Sequence, residues 1–194
     1  MKKYLAEALG TGTLVMVVGL SIAGTFPVPT PVLAALTLGL FVYSIGHISG
    51  THINPAVTIG ALSIGKITKN DAFFYIVAQI IGASIALAFL AKSVTMPELS
   101  VGSEGYIGLA EFLGTFFFTF GIASVLYGKT PGQLSGVVIG GSLLLGITIS
   151  ATLGANGVLN PAVALGVGSL STMYVLGPIL GSILGMQAYK YLQS

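Results

Sequence analysis

The tetrapeptide Asn-Pro-Ala-Val occurs twice in this chain, at Asn54–Val57 and Asn160–Val163, and each copy opens an apolar segment too short to cross a bilayer. An Asn before a Pro can cap a helix, because its side-chain oxygen accepts hydrogen bonds from first-turn N–H groups while the Pro gives up only an unpartnered donor. We expect each amide NH2 group to remain free to donate. Two such groups facing each other within a membrane would form a donor site that suits small neutral molecules.

The composition places the chain in a lipid bilayer. Hydrophobic residues make up 54% of it and charged residues only 6%, whereas a soluble globular domain carries about 25% charged residues. We expect one integral membrane domain that spans residues 1–194. The seven basic residues form no stripe, which argues against nucleic acid as a partner. The absence of Cys excludes disulfides and thiolate metal ligands.

Six apolar runs approach the roughly 20 residues that a helix needs to cross a bilayer. Two further segments, Asn54–Ile64 and Asn160–Leu170, have about half that length and are predicted to be half-helices. Non-helical backbone is tolerated at membrane depth only where protein or a water-filled cavity shields it, so the segments before both half-helices imply an internal path. The predicted spans are Tyr4–Gly24, Pro31–Ile48, Asp71–Ala91, Gly105–Tyr127, Gln133–Thr152 and Thr172–Leu192.

The two halves of the chain resemble each other. Ala6–Thr11 (AEALGT) reappears as Ala110–Thr115 (AEFLGT), and Tyr75–Ala83 resembles Tyr174–Ser182. Together with the doubled tetrapeptide, these matches in the same order predict two repeats, residues 1–92 and 105–194. Each repeat contains three spans, an odd number, so the second repeat must be inverted relative to the first. The half-helices would then enter from opposite faces and meet at their N-termini near the midplane.

The distribution of Lys residues predicts the orientation, because cytoplasmic loops carry an excess of basic residues. If the N-terminus is cytoplasmic, only Lys92 lies outside. We therefore expect both termini to be cytoplasmic and the protein to lie in the plasma membrane, the inner membrane of a cell that has two. The Lys residues on the cytoplasmic side would be Lys2, Lys3, Lys66, Lys69, Lys129 and Lys190.

Two acidic residues, Glu7 and Glu111, lie deep in apolar runs, where a charge costs about 2.5 kcal/mol or more. One interpretation is a proton relay; the other is that each carboxylate accepts N–H bonds from the loop before a half-helix. We favour the second, because the spans offer no chain of titratable groups. His47 and His52 flank Gly50, but the second half has no His and the chain no Cys, so we expect polar lining and no metal site.

The stretch Gly46–Thr58 (GHISGTHINPAVT), the second Asn-Pro-Ala and the AE-x-LGT openings together resemble the aquaporin and glycerol-facilitator family, the major intrinsic proteins. The resemblance covers essentially the whole chain. It implies an all-α membrane protein with six transmembrane helices and two re-entrant half-helices, usually a homotetramer with one passive pore per protomer. It also implies that Glu7 and Glu111 support the loops before the half-helices. The predicted pore residues are Asn54, Pro55, Ala56, Asn160, Pro161 and Ala162, with Gly50, Thr51, His52, Ile53, Asn156, Val158 and Leu159 as further lining.

The chain departs from the family pattern at the outer filter. Most members carry an Arg directly after the second Asn-Pro-Ala, and the matching residue here is Val163. By the family's spacing, the other filter positions are Ala34, Thr148 and Gly157. All four residues are small or neutral, so we expect a wide and mostly apolar filter.

These features predict a passive channel for water and small neutral solutes such as glycerol, without a cofactor. Half-helix dipoles and the paired Asn residues would exclude ions and protons. Two alternatives remain open: a secondary transporter, since such proteins also use inverted repeats and broken helices, and a non-conducting membrane junction protein. A coupled transporter would need an ion site near the midplane, and a junction protein would need larger loops. An enzyme is disfavoured because no nucleophile with a base and no paired carboxylates can be assembled.

Overall fold

The computed structural model describes residues 1–24, 26–97, 99 and 102–194, and all regular structure within them is helical. A single 3-10 turn, Gly132–Leu134, precedes the sixth helix. The predicted six long and two short helices are confirmed, with ends shifted by a few residues. They are α1 Lys2–Ala23, α2 Thr30–Ser49, α3 Pro55–Ser63, α4 Lys69–Ser93, α5 Gly105–Leu126, α6 Ser135–Thr152, α7 Pro161–Gly166 and α8 Thr172–Gln193.

Five of the long helices, α1, α2, α4, α5 and α6, are long and apolar enough to cross a membrane. The sixth, α8, has 22 residues, as many as α1. It is slightly less apolar because Gln187 and Lys190 lie in its last turns. The short helix α7 ends at Gly166, earlier than predicted, because Gly168 adopts a φ of +78° and the Ser169 N–H closes the helix end on the Ala164 carbonyl.

Small residues bring the long helices together in pairs. A Cβ added at Gly12 of α1 would lie 3.0 Å from the carbonyl oxygen of Gly82 on α4. In the second half, a Cβ at Gly177 of α8 would lie 2.6 Å from the carbonyl oxygen of Gly108 on α5. Small residues allow this close backbone contact, which provides van der Waals packing between helices in lipid.

The two half-helices occupy the centre of the bundle. Helix α3 packs on α8 and α4, whereas α7 packs on α4, α1 and α8, and the half-helices also touch each other. Each half-helix therefore contacts long helices from both halves of the chain. This packing brings the loops before α3 and α7 to the same place, where the two Asn-Pro-Ala motifs meet.

Candidate pore and its paired asparagines

Each half-helix begins at a capping Asn. The Oδ1 atom of Asn54 accepts from the N–H groups of Ala56 at 2.8 Å and Val57 at 3.5 Å. The Oδ1 atom of Asn160 accepts from Ala162 and Val163 at 3.0 and 3.4 Å. Both Asn residues have extended backbone and precede a Pro at the first helical position. The sequence forms these helix starts locally, because the cap and the Pro both favour a helix that begins there.

The amide nitrogens of the two Asn residues cross between the loops. Asn54 Nδ2 donates to the Leu159 carbonyl at 2.9 Å, and Asn160 Nδ2 donates to the Ile53 carbonyl at 3.0 Å. Each Asn thus binds the residue that precedes the other. Each NH2 group therefore donates, as expected when Oδ1 is the capping atom, and part of this donor capacity is used within the protein. An amide NH2 has two N–H donors, so the crossing bond uses one and leaves one.

Glu7 holds the loop before α3. Its Oε1 atom accepts from the Ser49 hydroxyl at 2.7 Å and the His52 N–H at 2.9 Å, and its Oε2 atom accepts from the Ile53 N–H at 2.6 Å and Gln79 Nε2 at 2.8 Å. The side chain is fully buried. Burying a charge requires such partners, and these four donors join α1, α2, α4 and the loop.

Glu111 has the equivalent position before α7. Its Oε1 atom accepts from the Ser150 hydroxyl at 2.9 Å and the Val158 N–H at 3.0 Å, while its Oε2 atom accepts from the Leu159 N–H at 2.7 Å. This carboxylate is also fully buried. The contacts of both Glu residues match the loop-support interpretation, because each binds the backbone just ahead of a capping Asn.

The loops that Glu7 and Glu111 hold have unusual backbone. Thr51, Ile53 and Leu159 adopt φ values of +52°, +39° and +53°, and Gly157 has +66°. A left-handed conformation costs a non-Gly residue about 1 to 3 kcal/mol and persists where the surrounding structure enforces it. Here the carboxylate hydrogen bonds enforce it, and the resulting turns present the carbonyls of Ile53 and Leu159 to the two Asn amides.

A cavity of about 210 Å³ lies between α1, α2, α5 and α6 and reaches the Asn pair. None of the described residues that line it is charged. Its polar side chains are those of Thr30, His52, Asn54, Asn156 and Asn160, and the wall is otherwise mostly aliphatic. Other predicted residues on the wall are Ile53 and Val158 together with three of the filter positions, Ala34, Gly157 and Val163.

Thr148, the fourth filter position, is not on the cavity wall. It is exposed on α6, and its hydroxyl donates to the Leu144 carbonyl at 2.8 Å. The preceding residue, Ile147, lines the cavity instead. Successive helix residues point about 100° apart, so an error of one residue in the spacing moved the predicted position off this face.

Three of the predicted lining residues also lie off the wall. Thr51 is buried and donates its hydroxyl to the Phe41 carbonyl at 3.1 Å, while Gly50 is exposed at the end of α2. The Leu159 side chain packs against Gly114 and Gly146, and its carbonyl binds Asn54. These positions thus act through backbone geometry. Of the two His residues expected as polar lining, His52 lies on the cavity wall, whereas His47 is exposed at the end of α2.

A polar cluster behind the first loop had no counterpart in the sequence analysis. His52 Nδ1 lies 3.2 Å from the Thr58 hydroxyl, which also accepts from Gln79 Nε2 at 3.0 Å. Tyr75 and Tyr174, which occur in the matched segments, bind the two loops: the Tyr75 hydroxyl donates to the Ser49 carbonyl at 2.8 Å, and the Tyr174 hydroxyl accepts from the Asn156 N–H at 2.9 Å. The recurrence of a Tyr at the start of both matched segments was the sequence signal that could have indicated these bonds.

Comparison with known proteins identifies the family. The family model described as major intrinsic protein matches residues 1–191. The chain belongs to the major intrinsic protein family. It is 32% identical to aquaporin NIP1-1 of Arabidopsis thaliana, covering 98% of this chain and 73% of that protein. It is 33% identical to nodulin-26 of Glycine max, covering 98% and 77%, and 30% identical to aquaporin Z of Bradyrhizobium diazoefficiens, covering 99% and 93%.

A solved structure supports the fold of this major intrinsic protein. The aquaglyceroporin from Plasmodium falciparum superposes with a TM-score of 0.71 at 22% identity, covering 99% of this chain and 96% of that one. With the family established, the chain is a passive membrane channel for water and small solutes and not an enzyme. This outcome sets aside the transporter and the junction protein that the sequence left open.

Proposed function

We propose that conduction follows the cavity past Asn54 and Asn160, and that the channel carries water and small neutral solutes such as glycerol while excluding ions and protons. The crossed amide pair carries this proposal, because it lies at the wall of a cavity whose described lining residues include no charged side chain. Such a passage binds its contents by single hydrogen bonds. A neutral solute that can accept from an amide loses little when it leaves water there.

Ions are excluded by the cost of losing their hydration. A cation in the cavity finds no carboxylate among the described lining residues, and removing an ion from water costs several kcal/mol when no partner replaces it. The N-termini of α3 and α7 both begin at the Asn pair. Each contributes a partial positive charge of up to about +0.5, which adds repulsion for a cation.

Protons are excluded by the orientation of water at the Asn pair. The N–H of Asn54 and of Asn160 that is left after the crossing bonds donates to the oxygen of a passing water. That water can then only donate outward with both hydrogens, so a continuous chain for proton transfer is interrupted. The crossing bonds fix the amides and prevent them from turning to accept.

The outer filter is proposed to be wide because no basic or aromatic side chain occupies it. Its four positions are Ala34, Ile147 in place of Thr148, Gly157 and Val163. The solved structure that resembles this fold is that of an aquaglyceroporin, and we therefore choose glycerol as a solute to test. The variant Val163→Arg should narrow the filter and lower glycerol flux relative to water, and unchanged glycerol flux would refute this assignment.

The two halves are proposed to be inverted repeats, residues 1–92 and 105–194. Equivalent contacts in both halves support this. Ser21 of α1 pairs with Thr30 of α2 through their hydroxyls at 2.7 Å, and Ser124 of α5 pairs at 2.9 Å with Thr130 in the connection between α5 and α6. The family resemblance supports a homotetramer, and the Lys distribution supports cytoplasmic termini in a plasma membrane.

Stopped-flow light scattering on proteoliposomes tests the proposed function. A sucrose gradient reports water permeability, and a glycerol gradient reports solute permeability on the same vesicles. We expect both fluxes to be linear in the gradient and to depend only weakly on temperature. Protein-free vesicles are the control, and fluxes equal to theirs would contradict the proposal.

A further inference from the structure

Helices α1 and α5 present matching residues to the two loops. On α1, Glu7 binds the Ile53 N–H, and the Ile53 side chain packs on Gly10. Residues 7, 10 and 14 share one face of a helix, because residues three and four apart are neighbours. The next residue on this face is Leu14, one turn beyond the Gly10 that contacts Ile53. Leu14 lines the same cavity as that Asn.

The same register recurs on α5 with a different last residue. Glu111 binds the Leu159 N–H, the Leu159 side chain packs on Gly114, and Phe118 follows one turn later. Phe118 therefore has the position on α5 that Leu14 has on α1. Both line the cavity.

Phe118 differs from all other described residues of the cavity wall. It is the only Phe, Tyr or Trp among them. It is also 98% buried, with 2% of its surface exposed, so packing restricts its rotamer. The outer filter positions carry only small or aliphatic side chains. The bulkiest side chain on this wall therefore lies in the cavity that the Asn pair also lines, and not at the filter positions.

We propose that Phe118 sets the upper size limit for solutes in this channel. The limit thus lies beside the Asn pair and not at the four filter positions. The proposal rests on the proposed conduction path. It assigns the size selection to one side chain of the second repeat, since the first repeat has Leu14 at the equivalent place.

The test compares water, glycerol and the larger polyol erythritol on proteoliposomes of the full chain. Phe118→Leu gives both repeats the same side chain, and we expect erythritol permeability to rise severalfold relative to glycerol while water permeability changes little. Val163→Ala, which widens the filter, should leave the ratio unchanged. Leu14→Phe should lower it. The proposal is overturned if Phe118→Leu leaves the ratio of erythritol to glycerol permeability unchanged, or if Val163→Ala raises this ratio and Phe118→Leu does not.

Two controls keep the test decisive. If Phe118→Leu does not reconstitute, Phe118→Met introduces a side chain of about the volume of Leu that is flexible enough to adapt to its surroundings, and the same rise in the ratio is expected. Water permeability of each variant shows that its channels are folded. Failure of the proposed function itself would appear differently, as a wild-type chain without glycerol flux. If the wild type conducts glycerol but substitutions at residue 118 do not change the ratio of erythritol to glycerol permeability, only the role of Phe118 is refuted.

Discussion

The buried carboxylate of Glu111 should be required to hold the loop before α7. In the variant Glu111→Gln, one carboxylate oxygen becomes an NH2 group, which cannot accept. The least damaging arrangement places this group at the Oε1 position, because the Ser150 hydroxyl can turn to accept. The Val158 N–H, which donates to Oε1 at 3.0 Å, then faces another donor. The Leu159 N–H keeps its acceptor.

The expected loss is therefore one hydrogen bond to a buried N–H. Leaving such a group unpartnered costs about 1 to 3 kcal/mol, so we expect a lower melting temperature in detergent and a lower water permeability in proteoliposomes. Glu111→Ala removes the acceptor of all three donors and should lose more, about 3 kcal/mol at the least. The matched control is Glu104→Gln, a change of the same chemistry at an exposed residue of the α5 N-terminus.

Two outcomes would refute this reasoning. If Glu111→Gln melts and conducts like the wild type, the carboxylate does not hold the loop. If the wild type conducts protons and Glu111→Gln does not, while water permeability and melting temperature stay unchanged, Glu111 is part of a proton relay. A pH-sensitive dye enclosed in the vesicles measures the proton flux.

Two further predictions follow from single residues. Gly157→Ala should destabilise the protein by about 1 kcal/mol or more, because φ is +66° and the added Cβ would lie 2.9 Å from the Ile147 carbonyl oxygen. The control is Gly141→Ala, where a Cβ meets nothing within 4 Å. Equal melting temperatures of the two variants would contradict the prediction. Mercurial reagents that react with thiols should leave water permeability unchanged, since the chain has no Cys; inhibition in stopped-flow measurements would show that they act elsewhere.

Much of the fold could be predicted because its signals are local. A Pro after an Asn favours a helix start through local geometry, and α3 and α7 begin at Pro55 and Pro161. The apolar runs gave the long helices to within a few residues. The direction in which a helix side chain points is harder to predict than the helix itself. The filter position was predicted at Thr148 but Ile147 lines the cavity, because a shift of one residue changes the helix face.

Contacts between distant segments could not be predicted in the same way. The bonds from Asn54 to Leu159 and from Asn160 to Ile53 exist only because α3 and α7 meet in the centre of the bundle. No local sequence pattern reports how closely two half-helices approach each other. The buried position of Glu7 did indicate a need for partners, but its bond to Gln79 depends on how α1 packs on α4.

The most direct test of the conduction path measures water and proton fluxes in the wild type and in the variant Asn54→Ala/Asn160→Ala. The wild type should pass water quickly and protons no faster than empty vesicles. The variant loses both helix caps, each worth about 1 kcal/mol, which lowers its stability but should leave a channel that passes water. Because it also loses both amide donors that orient the water, it should leak protons. A variant that remains proton-tight with wild-type water flux would contradict the account.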